Sequence, residues 1–524
     1  MAKKFTLWTS ICLLILIGLA PVVSMFIQSL SVDGALSLKN YEMLFQSRRE
    51  WLLLSNSLEL AGATTLLTAL FGVPLGILFE KTDLPFRRLF AILFVIPLMI
   101  PPYILATAWF YCLGRDGYAA GILGNPIGNY TSPFLFSLGG TLLVMVSALL
   151  PVFIILTMTY LRMINPRLEE AAKLSAKWSF VLRKISIPVI SPGIFLAAIF
   201  VFILTIGEFG VPSSLHFDVF PVESFIQFSA FYNFNAATAA AIPLGLLTLM
   251  LLIIERLFLR KKTFQLRLTR EPMIIVPLGK SMPFFLSAVS IAAFILVITP
   301  ISILFIKSFS LRAYNEAFIQ STDSIVRSLL YASAGATCLT ILGLFLGYLL
   351  ERKSLRFFFA ADSIAIFLFT LPGTVIGIGL ISLWNTKVTN IIYASAAIIL
   401  LGYIAKYTAL SERIMAAGFS QIPRSMEEAA QIAGAGWFRR LSVILIPLAK
   451  RGLAGAWLVG FIFCLRDLDI TMIVYPPAHD TLPVRIFTLM ANSPEEVIAA
   501  LSIIMVAITL LPLGTLALIT KYRG

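Results

Sequence analysis

Residues 427–447 read EEAAQIAGAGWFRRLSVILIP, and residues 169–188 read EEAAKLSAKWSFVLRKISIP, a shorter copy of the same phrase. Each copy begins as an acidic helix that contains alanine, and Glu and Ala are both strong helix formers. In the later copy Gly434 and Gly436 permit a turn, after which a second, basic helix runs into an apolar stretch. The phrase therefore predicts a helical hairpin beside a membrane, where another protein can bind it.

Apolar segments long enough to span a membrane recur along the whole chain. Of its 524 residues, 59% are hydrophobic and 13% are charged, and the mean hydropathy is +0.94. The helices of a large soluble protein would need polar faces, which these stretches lack. We predict an all-α polytopic membrane protein with about twelve transmembrane helices, near 8–30, 55–79, 89–112, 138–161, 189–212, 238–259, 284–306, 328–350, 358–384, 390–410, 452–475 and 497–519.

The net charge of +14 reflects membrane topology rather than nucleic-acid binding. When Lys3 and Lys4 are placed in the cytoplasm and the sides alternate, 30 of the 40 Lys and Arg residues fall in cytoplasmic loops or span ends. This asymmetry follows the positive-inside rule and predicts that both termini and both copies of the phrase are cytoplasmic. Because the first apolar run continues to about Leu30 without a small-residue cleavage site, we expect a retained first span rather than a signal peptide.

The chain is also repeated on a larger scale. Positions in its first part match positions 271 residues later: Ser57-Leu58, Ala61, Gly72, Gly76 and Glu80-Lys81 against Ser328-Leu329, Ala332, Gly343, Gly347 and Glu351-Arg352. Each half holds about six spans, an even number, so the halves are parallel, unlike the inverted repeats of many secondary transporters. We predict a first half at 1–259 with its hairpin loop at 165–188, a basic cytoplasmic linker at 260–283, and a second half at 284–524 with its hairpin loop at 423–447.

Gly72 and Gly76, and their counterparts Gly343 and Gly347, are pairs of small residues four positions apart. Such pairs let two membrane helices approach closely. They predict either a sliding seam between the two halves or ordinary packing inside each half.

Sequence motifs for catalysis or ATP hydrolysis were not found. Gly279-Lys280-Ser281 has the ending of a phosphate-binding loop, but Ile274 stands where the first glycine of that loop would be. The cysteines lie in or at the ends of predicted spans, without disulfide or metal spacing: Cys12, Cys112, Cys338 and Cys464. We therefore predict a chain that is not an enzyme and holds no cofactor, with its energy supplied by a separate subunit.

The repeated phrase resembles the EAA loop of ABC importer permeases. Nearly the whole chain resembles the fused, double-length permeases of type I importers, especially those of the ferric-iron and thiamine group. Leu465-Arg466-Asp467-Leu468 and Thr481-Leu482-Pro483-Val484-Arg485, downstream of the second copy, look like the iron-type members. The first copy departs from the pattern, because Ala176 replaces the motif glycine and one residue is missing before Pro188.

This resemblance implies a permease in a bacterial inner membrane, with two copies of an ATPase that bind ATP and Mg²⁺ in the cytoplasm. It also implies a periplasmic or extracellular binding protein that delivers the substrate. Movement of the hairpins by the ATPase would switch the halves between inward-open and outward-open states, a rigid-body change. The residues that it assigns to ATPase docking are Glu169, Glu170, Ala171, Ala172, Glu427, Glu428, Ala429, Ala430 and Gly434.

Three acidic residues near the outer ends of predicted spans are candidates for the translocation path. Glu208 lies 20 residues after Pro188, and Asp467 lies 20 residues after Pro447, with Asp469 two positions further on. Acids inside a membrane are costly and are usually functional or paired. The alternatives are a cation route, or local roles in which Asp467 or Asp469 pairs with Arg466 and Glu208 caps a loop.

The two histidines lie in outer loops that correspond between the halves. His216 and Asp218 precede Pro221-Val222, and His479 and Asp480 precede Pro483-Val484. We expect either ordinary solvated loop surfaces or docking sites for the binding protein.

The class of transporter and its substrate depend on different observations. Two ATPase-docking hairpins and a parallel repeat favour an ABC importer over a secondary transporter, and no catalytic constellation supports a membrane-embedded enzyme. Carboxylates suit ferric iron as a hard cation, but thiamine is also cationic, and both substrates remain open at this stage.

Overall fold

The computed structural model describes residues 1–32, 35–37, 41–42, 46–174, 176–229, 234–260 and 274–522, and 83% of it is helical. A short antiparallel ladder pairs strand β1 (Ser31–Val32) with strand β2 (Ala35–Leu36). The predicted linker at 260–283 lies largely outside the described residues, which stop at 260 and resume at 274.

Helices α1 to α14 belong to the first half of the sequence. A π-helical turn (Ile15–Leu19) joins α1 to α2, and another (Leu182–Ser186) joins α10 to α11. The helices are α1 (Ala2–Leu14), α2 (Ala20–Ser29), α3 (Arg48–Lys81), α4 (Arg87–Met99), α5 (Pro102–Leu113), α6 (Tyr118–Leu123), α7 (Asn125–Leu135), α8 (Leu138–Leu161), α9 (Pro166–Lys173), α10 (Trp178–Val181), α11 (Ile187–Ile206), α12 (Gly210–Ser214), α13 (Phe220–Ser229) and α14 (Phe234–Arg260).

Helices α15 to α28 belong to the second half, after a short 3₁₀ turn (Gly279–Ser281). Its π-helical turns, Phe294–Ile298 and Leu441–Leu445, lie at places equivalent to those of the first half. The helices are α15 (Met282–Ala293), α16 (Thr299–Lys307), α17 (Leu311–Arg352), α18 (Phe358–Thr370), α19 (Gly373–Trp384), α20 (Asn390–Tyr393), α21 (Ala397–Ser420), α22 (Arg424–Ile432), α23 (Trp437–Arg440), α24 (Ile446–Leu448), α25 (Lys450–Leu465), α26 (Thr471–Val474), α27 (Leu482–Leu489) and α28 (Glu495–Tyr522).

The prediction of an all-α polytopic membrane protein is confirmed. Among the described residues, seven helical segments are long and apolar enough to cross a bilayer, and three bent pairs raise the number to as many as ten. The two remaining predicted spans, near 238–259 and 390–410, coincide with helices α14 and α21. Helix α21 carries Lys406, Glu412 and Arg413 within its length, which lowers its mean hydropathy.

Two segments that the sequence predicts as single spans are sharply bent in the structure. Helices α4 and α5 meet at 101°, and helices α18 and α19 meet at 110°. Each break falls immediately before a proline, where Ile100 and Leu371 have extended backbones with ψ of 134° and 141°. The proline ring disfavours helical geometry in the preceding residue, so the same cause breaks the equivalent span in both halves.

The helices group into two compact units that interleave in sequence. The N-terminal unit comprises Leu52–Val219 and Leu249–Phe309, and the C-terminal unit comprises Met1–Trp51, Phe220–Thr248 and Ser310–Gly524. The first helix of the chain therefore packs with the second half of the sequence, and α15 packs with the first half. The predicted boundaries at 1–259 and 284–524 concern the repeat in the sequence rather than these compact units, and they stay a prediction.

The core of the N-terminal unit shows how α15 is incorporated. Val289 and Ala293 of this helix are buried against Leu75 and Phe79 of α3 and Ile154 of α8. Phe94 of α4 and Leu150 of α8 belong to the same cluster. These contacts are aliphatic and aromatic, so they require apolar faces of the right shape and no specific polar partner.

The glycine pairs pack inside each unit rather than at a seam between halves. A methyl group built at Gly72 or Gly76 would lie 2.6 Å or 2.7 Å from the Cβ atoms of Phe153 and Thr157 on α8. At Gly343 and Gly347 it would lie 2.7 Å from the Cβ atoms of Ser411 and Met415 on α21. The small residues thus bring α3 against α8, and α17 against α21.

Candidate functional site

The first hairpin, residues 165–188, lies in the N-terminal unit. Helix α9 begins at Pro166, and the side chain of Asn165 caps it by accepting a 3.0 Å hydrogen bond from the Arg167 amide. Proline suits the first position of a helix because that position needs no N–H donor. Ser175 is outside the described residues, and α10 leads through the π-helical turn into α11.

The second hairpin, residues 423–447, lies in the C-terminal unit, and Gly434 makes its turn. Gly434 has a φ of +81°, the left-handed region that favours glycine. Its amide donates to the Gln431 carbonyl at 3.0 Å, and the Ala435 amide donates to the Ala430 carbonyl at 2.9 Å. This pair of bonds is the Schellman motif, which satisfies the last carbonyl groups of a helix and ends it.

The two glutamates of each phrase point in opposite directions. Glu170 and Glu428 are exposed, whereas Glu169 and Glu427 are buried, with 0% and 8% of their surface accessible. Of the other predicted docking residues, Ala171, Ala429 and Gly434 are exposed, and Ala172 and Ala430 are half-buried. The exposed residues of this set lie on a surface that another protein can reach, and Glu169 and Glu427 do not.

Each hairpin also exposes a large apolar side chain to solvent. Leu174 is 90% exposed, and Ile432, at the equivalent position, is 88% exposed. Both follow the exposed glutamate by four residues, one helical turn further on. An acidic residue beside an exposed aliphatic one is therefore the chemistry that both hairpins share.

Glu169 is held inside the N-terminal unit by a buried, directly hydrogen-bonded ion pair. Its Oε2 accepts a 2.6 Å hydrogen bond from Lys81 Nζ at the end of α3, and neither side chain is accessible to solvent. Its Oε1 accepts a 2.8 Å bond from the Ser186 hydroxyl, in the π-helical turn that follows α10. One carboxylate thus ties the first helix of the hairpin to α3 and to the start of α11.

Glu427 occupies the equivalent place in the C-terminal unit with different partners. Tyr348 of α17 donates a 2.6 Å hydrogen bond to its Oε1. Two cations stand further away, with Arg352 Nε 3.8 Å from Oε2 and Arg440 Nη1 3.7 Å from Oε1. Arg440 also donates a 2.7 Å bond to Gln431 Oε1, so the network closes across the hairpin.

The sequence did not single out Lys81 and Arg352 as the partners of the buried glutamates. They match at the offset of 271, and each ends its long helix at the cytoplasmic side of the predicted topology. A cation repeated at this place in both halves, with a repeated acid in the following loop, is the signal that could have identified the pair. Ser186 and Tyr348 have no counterpart in the other half, so no repeat pointed to them.

Asp467, a candidate for the translocation path, is buried and hydrogen-bonded in the C-terminal unit. Its Oδ1 accepts from the Thr471 amide at 3.0 Å and from the Thr471 hydroxyl at 2.9 Å, and its Oδ2 accepts from Tyr407 at 2.6 Å. The carboxylate therefore binds the first residue of the short helix α26 through both its amide and its hydroxyl. Its assignment to the path remains a prediction, and in this structure its oxygens serve local bonds.

The other two path candidates have different surroundings. Asp469 Oδ2 lies 3.9 Å from Lys406 Nζ, near the bend between α18 and α19, where Gly373 approaches the Asp469 side chain. Glu208, in the N-terminal unit, is half-buried, and its Oε1 accepts a 3.4 Å bond from the Val211 amide. Glu208 thus binds the amide of the second residue of the short helix α12, whereas Asp467 binds the amide of the first residue of α26. Within the described residues, no cluster of three potential metal ligands is formed.

The outer loops are held by different contacts. In the N-terminal unit, His216 and Asp218 are exposed, and His216 stacks on Phe136 with 5.8 Å between ring centroids. In the C-terminal unit, Asp480 accepts 2.6 Å bonds from Arg327 and Ser324, and His479 shares a 2.7 Å bond with Tyr331.

The backbone shows that these loops are equivalent. His216 and Ala478 both have left-handed backbones, with φ of +51° and +63°. Asp218 and Asp480 follow them by two residues in each loop. Docking of a binding protein on these loops remains a prediction.

Comparison with known proteins identifies the family. The family described as "Binding-protein-dependent transport system inner membrane component" matches residues 72–264 and again 340–522, one match in each half. Together the two segments cover more than half of the chain, and each contains one hairpin.

Of three similar proteins, two align with nearly the whole chain and one aligns with less than half of it. The putative ferric transport system permease protein FbpB 1 of Haemophilus influenzae is 21% identical over 509 residues, which cover 92% of this chain and 80% of that protein. The Fe(3+)-transport system permease protein FbpB 2 of the same organism is 22% identical over 502 residues, 93% of each chain. The spermidine/putrescine transport system permease protein PotC of H. influenzae is 26% identical over 217 residues, 41% of this chain and 83% of that protein.

The repeated match explains the architecture. PotC aligns with less than half of this chain, whereas the two ferric transport permeases align with nearly all of it, as expected of a double-length protein. With two hairpins, apolar spans and two family matches, the chain belongs to the inner membrane components of binding-protein-dependent transport systems and is a fused permease of an ABC importer.

Proposed function

We propose that this permease imports ferric iron, receives it from a substrate-binding protein on the outer side, and is driven by a separate ATPase in the cytoplasm. The observation that carries the choice of substrate is the alignment of almost the whole chain with two permeases named for ferric transport. Hard oxygen donors such as Glu208 and Asp469 are compatible with a hard cation. Thiamine remains the second candidate, because it is also a cation.

Two copies of the ATPase bind this chain, one at each hairpin. Support comes from the exposed pairs Glu170 with Leu174 and Glu428 with Ile432, which give the two hairpins the same acidic and apolar chemistry. Large aliphatic side chains that are about nine-tenths exposed suit burial in a protein interface. ATP and Mg²⁺ bind the ATPase, and the two hairpins of this chain move with the ATPase.

Both termini and both hairpins are cytoplasmic in this proposal. The bias of Lys and Arg toward one side supports this orientation. The loops around Asp218 and Asp480 then lie on the outer side, where the binding protein docks.

Isolation of the permease from native membranes tests the ATPase partnership. The expected result is a co-purifying ATPase at two copies per permease, measured by the mass of the intact complex. Recovery of the permease alone, under conditions that keep other ABC complexes whole, would contradict this proposal.

Transport in proteoliposomes tests the substrate. The complex is reconstituted with ATP on the ATPase side and binding protein on the other, and radioactive ferric iron or radioactive thiamine is supplied. We expect ATP-dependent accumulation of iron and none of thiamine. The reverse result would assign the permease to thiamine and leave the ATPase partnership intact.

A further inference from the structure

The start of helix α1 lies against the inner face of the second hairpin. Lys3 is half-buried, and its ammonium group lies 4.8 Å from the centre of the Tyr348 ring and 5.6 Å from the Trp437 ring. Trp437 Nε1 donates a 3.0 Å hydrogen bond to the Thr6 hydroxyl. Tyr348 and Trp437 also contact each other, with 5.1 Å between ring centroids. Two residues of α1 therefore hold the aromatic pair on which the hairpin rests.

Charge alone does not account for the position of Lys3. Glu427 attracts it, but Arg352 and Arg440 already stand beside this carboxylate. A third cation near one carboxylate needs another source of attraction, and the two aromatic faces supply it.

The first hairpin is fixed by a direct ion pair instead. Ile77 occupies the position of Tyr348, so α3 offers no ring there for a cation. Lys81 bonds Glu169 directly at 2.6 Å, whereas the cations around Glu427 are 3.7 Å and 3.8 Å away. The direct ion pair that fixes the first hairpin is thus replaced in the second by a looser network that α1 completes.

The two hairpins also differ in how they join the membrane span that follows. Residues Trp178–Ile206 form one candidate span without a sharp bend. The equivalent segments, Trp437–Leu448 and Lys450–Leu465, are bent by 76°. A bend beside the hairpin leaves its orientation less constrained by the span, so contacts from elsewhere in the fold gain importance.

We propose that Lys3 and Thr6 are positioning residues that brace the second hairpin and fix its orientation for the ATPase. Leu7 and Ile11, which follow Lys3 and Thr6 in α1, are buried and anchor the helix. Trp8 adds a ring contact with Phe357, with 5.8 Å between the centroids. The two hairpins are then mechanically unequal, the first fixed by a buried ion pair and the second by α1. This inference rests on the proposed role of the hairpins as ATPase-binding surfaces.

Spin labels on the two hairpins test the brace in the isolated permease. The four native cysteines are replaced by alanine, and a label is attached at Ile432→Cys or, as a matched control, at Leu174→Cys. In the Lys3→Ala/Thr6→Val variant we expect the mobile fraction at position 432 to rise roughly fivefold, as loss of a partly desolvated cation–π contact predicts. The label at position 174 is expected to be unchanged.

Conservative variants separate positioning from folding. Lys3→Arg/Thr6→Ser keeps the cation and the hydroxyl and should restore the wild-type spectrum, and Lys4→Ala, at an exposed neighbour, should have no effect. The brace is refuted if position 432 does not respond, if both labels respond equally, or if the conservative variant behaves like Lys3→Ala/Thr6→Val. Because the ATPase is absent from this measurement, failure of co-purification would contradict the proposed function without changing the result for the brace.

Discussion

Lys81 donates a 2.6 Å hydrogen bond to Glu169, and both side chains are completely buried. Lys81 ends α3, which packs along α8, and Glu169 belongs to the hairpin that the ATPase is proposed to bind. We therefore expect a displacement of the hairpin to be transmitted directly to the end of a long membrane helix. Arg352 and Glu427 repeat this relationship in the C-terminal unit over a longer distance.

Breaking the buried pair should destabilise the N-terminal unit. In Glu169→Gln the Lys81 ammonium group loses its counter-charge while it stays buried, a change that typically costs about 3–5 kcal/mol. We expect a clear fall in the melting temperature of the purified permease, followed by thermal unfolding in detergent. The reversed pair, Lys81→Glu with Glu169→Lys, should recover part of the loss.

Glu170→Gln is the matched control for that experiment, because Glu170 is the exposed neighbour of Glu169. It should leave the melting temperature unchanged and reduce ATPase co-purification. An unaltered melting temperature in Glu169→Gln would refute the structural role of the pair.

The turn at Gly434 should tolerate only residues that accept a left-handed backbone. Gly434→Val places a β-branched residue at a φ of +81°, where an ordinary residue is strained by about 1–2 kcal/mol. Space is not limiting, because a methyl group built there meets no atom within 4 Å. We expect loss of coupling between ATP hydrolysis and uptake in proteoliposomes.

Two substitutions isolate the backbone effect at this turn. Gly434→Asn should retain much of the coupling, because asparagine adopts left-handed backbones more readily than most residues. Gly436→Val should be tolerated, since Gly436 has a φ of −65° and is equally open. Equal uptake and equal ATP hydrolysis in wild type and Gly434→Val would show that the turn plays no part in coupling.

The outer loops should contact the binding protein. A cysteine at Asp218, which is exposed, and one at Pro477, which is exposed beside Ala478, should each crosslink to it when the native cysteines are absent. We choose Pro477 over Asp480 because removal of Asp480 breaks its bonds to Arg327 and Ser324. Crosslinks only from the 114–133 segment would move the docking surface there.

The acids Glu208 and Asp467 should respond differently to neutralisation. Asp467→Asn changes a buried carboxylate that accepts three hydrogen bonds, so we expect reduced assembly of the complex, measured by size-exclusion chromatography. Glu208→Gln keeps a side-chain oxygen for the Val211 amide and should assemble normally. If Glu208 lies on the cation route, uptake falls in this variant while ATP hydrolysis without substrate persists; normal uptake would place the route elsewhere.

The sequence by itself determined the class of protein and its repeat. Apolar runs of spanning length predict membrane helices, because a helix satisfies its own backbone hydrogen bonds in the bilayer. The bias of Lys and Arg toward one side and the repeated phrase can likewise be read from the order of the residues. The turn at Gly434 was also readable, because a glycine between two helical patterns indicates a backbone that other residues avoid.

Only the tertiary structure decided which glutamate of each phrase faces outward and what the buried one contacts. Glu169 and Glu170 are adjacent and chemically identical, and helical periodicity cannot say which side of a short hairpin helix meets the rest of the protein. Lys81 stands 88 residues before Glu169, and Lys3 more than 400 before Trp437. Contacts over such separations depend on how the helices pack, and the interleaving of α1 and α15 between the sequence halves is itself a result of packing.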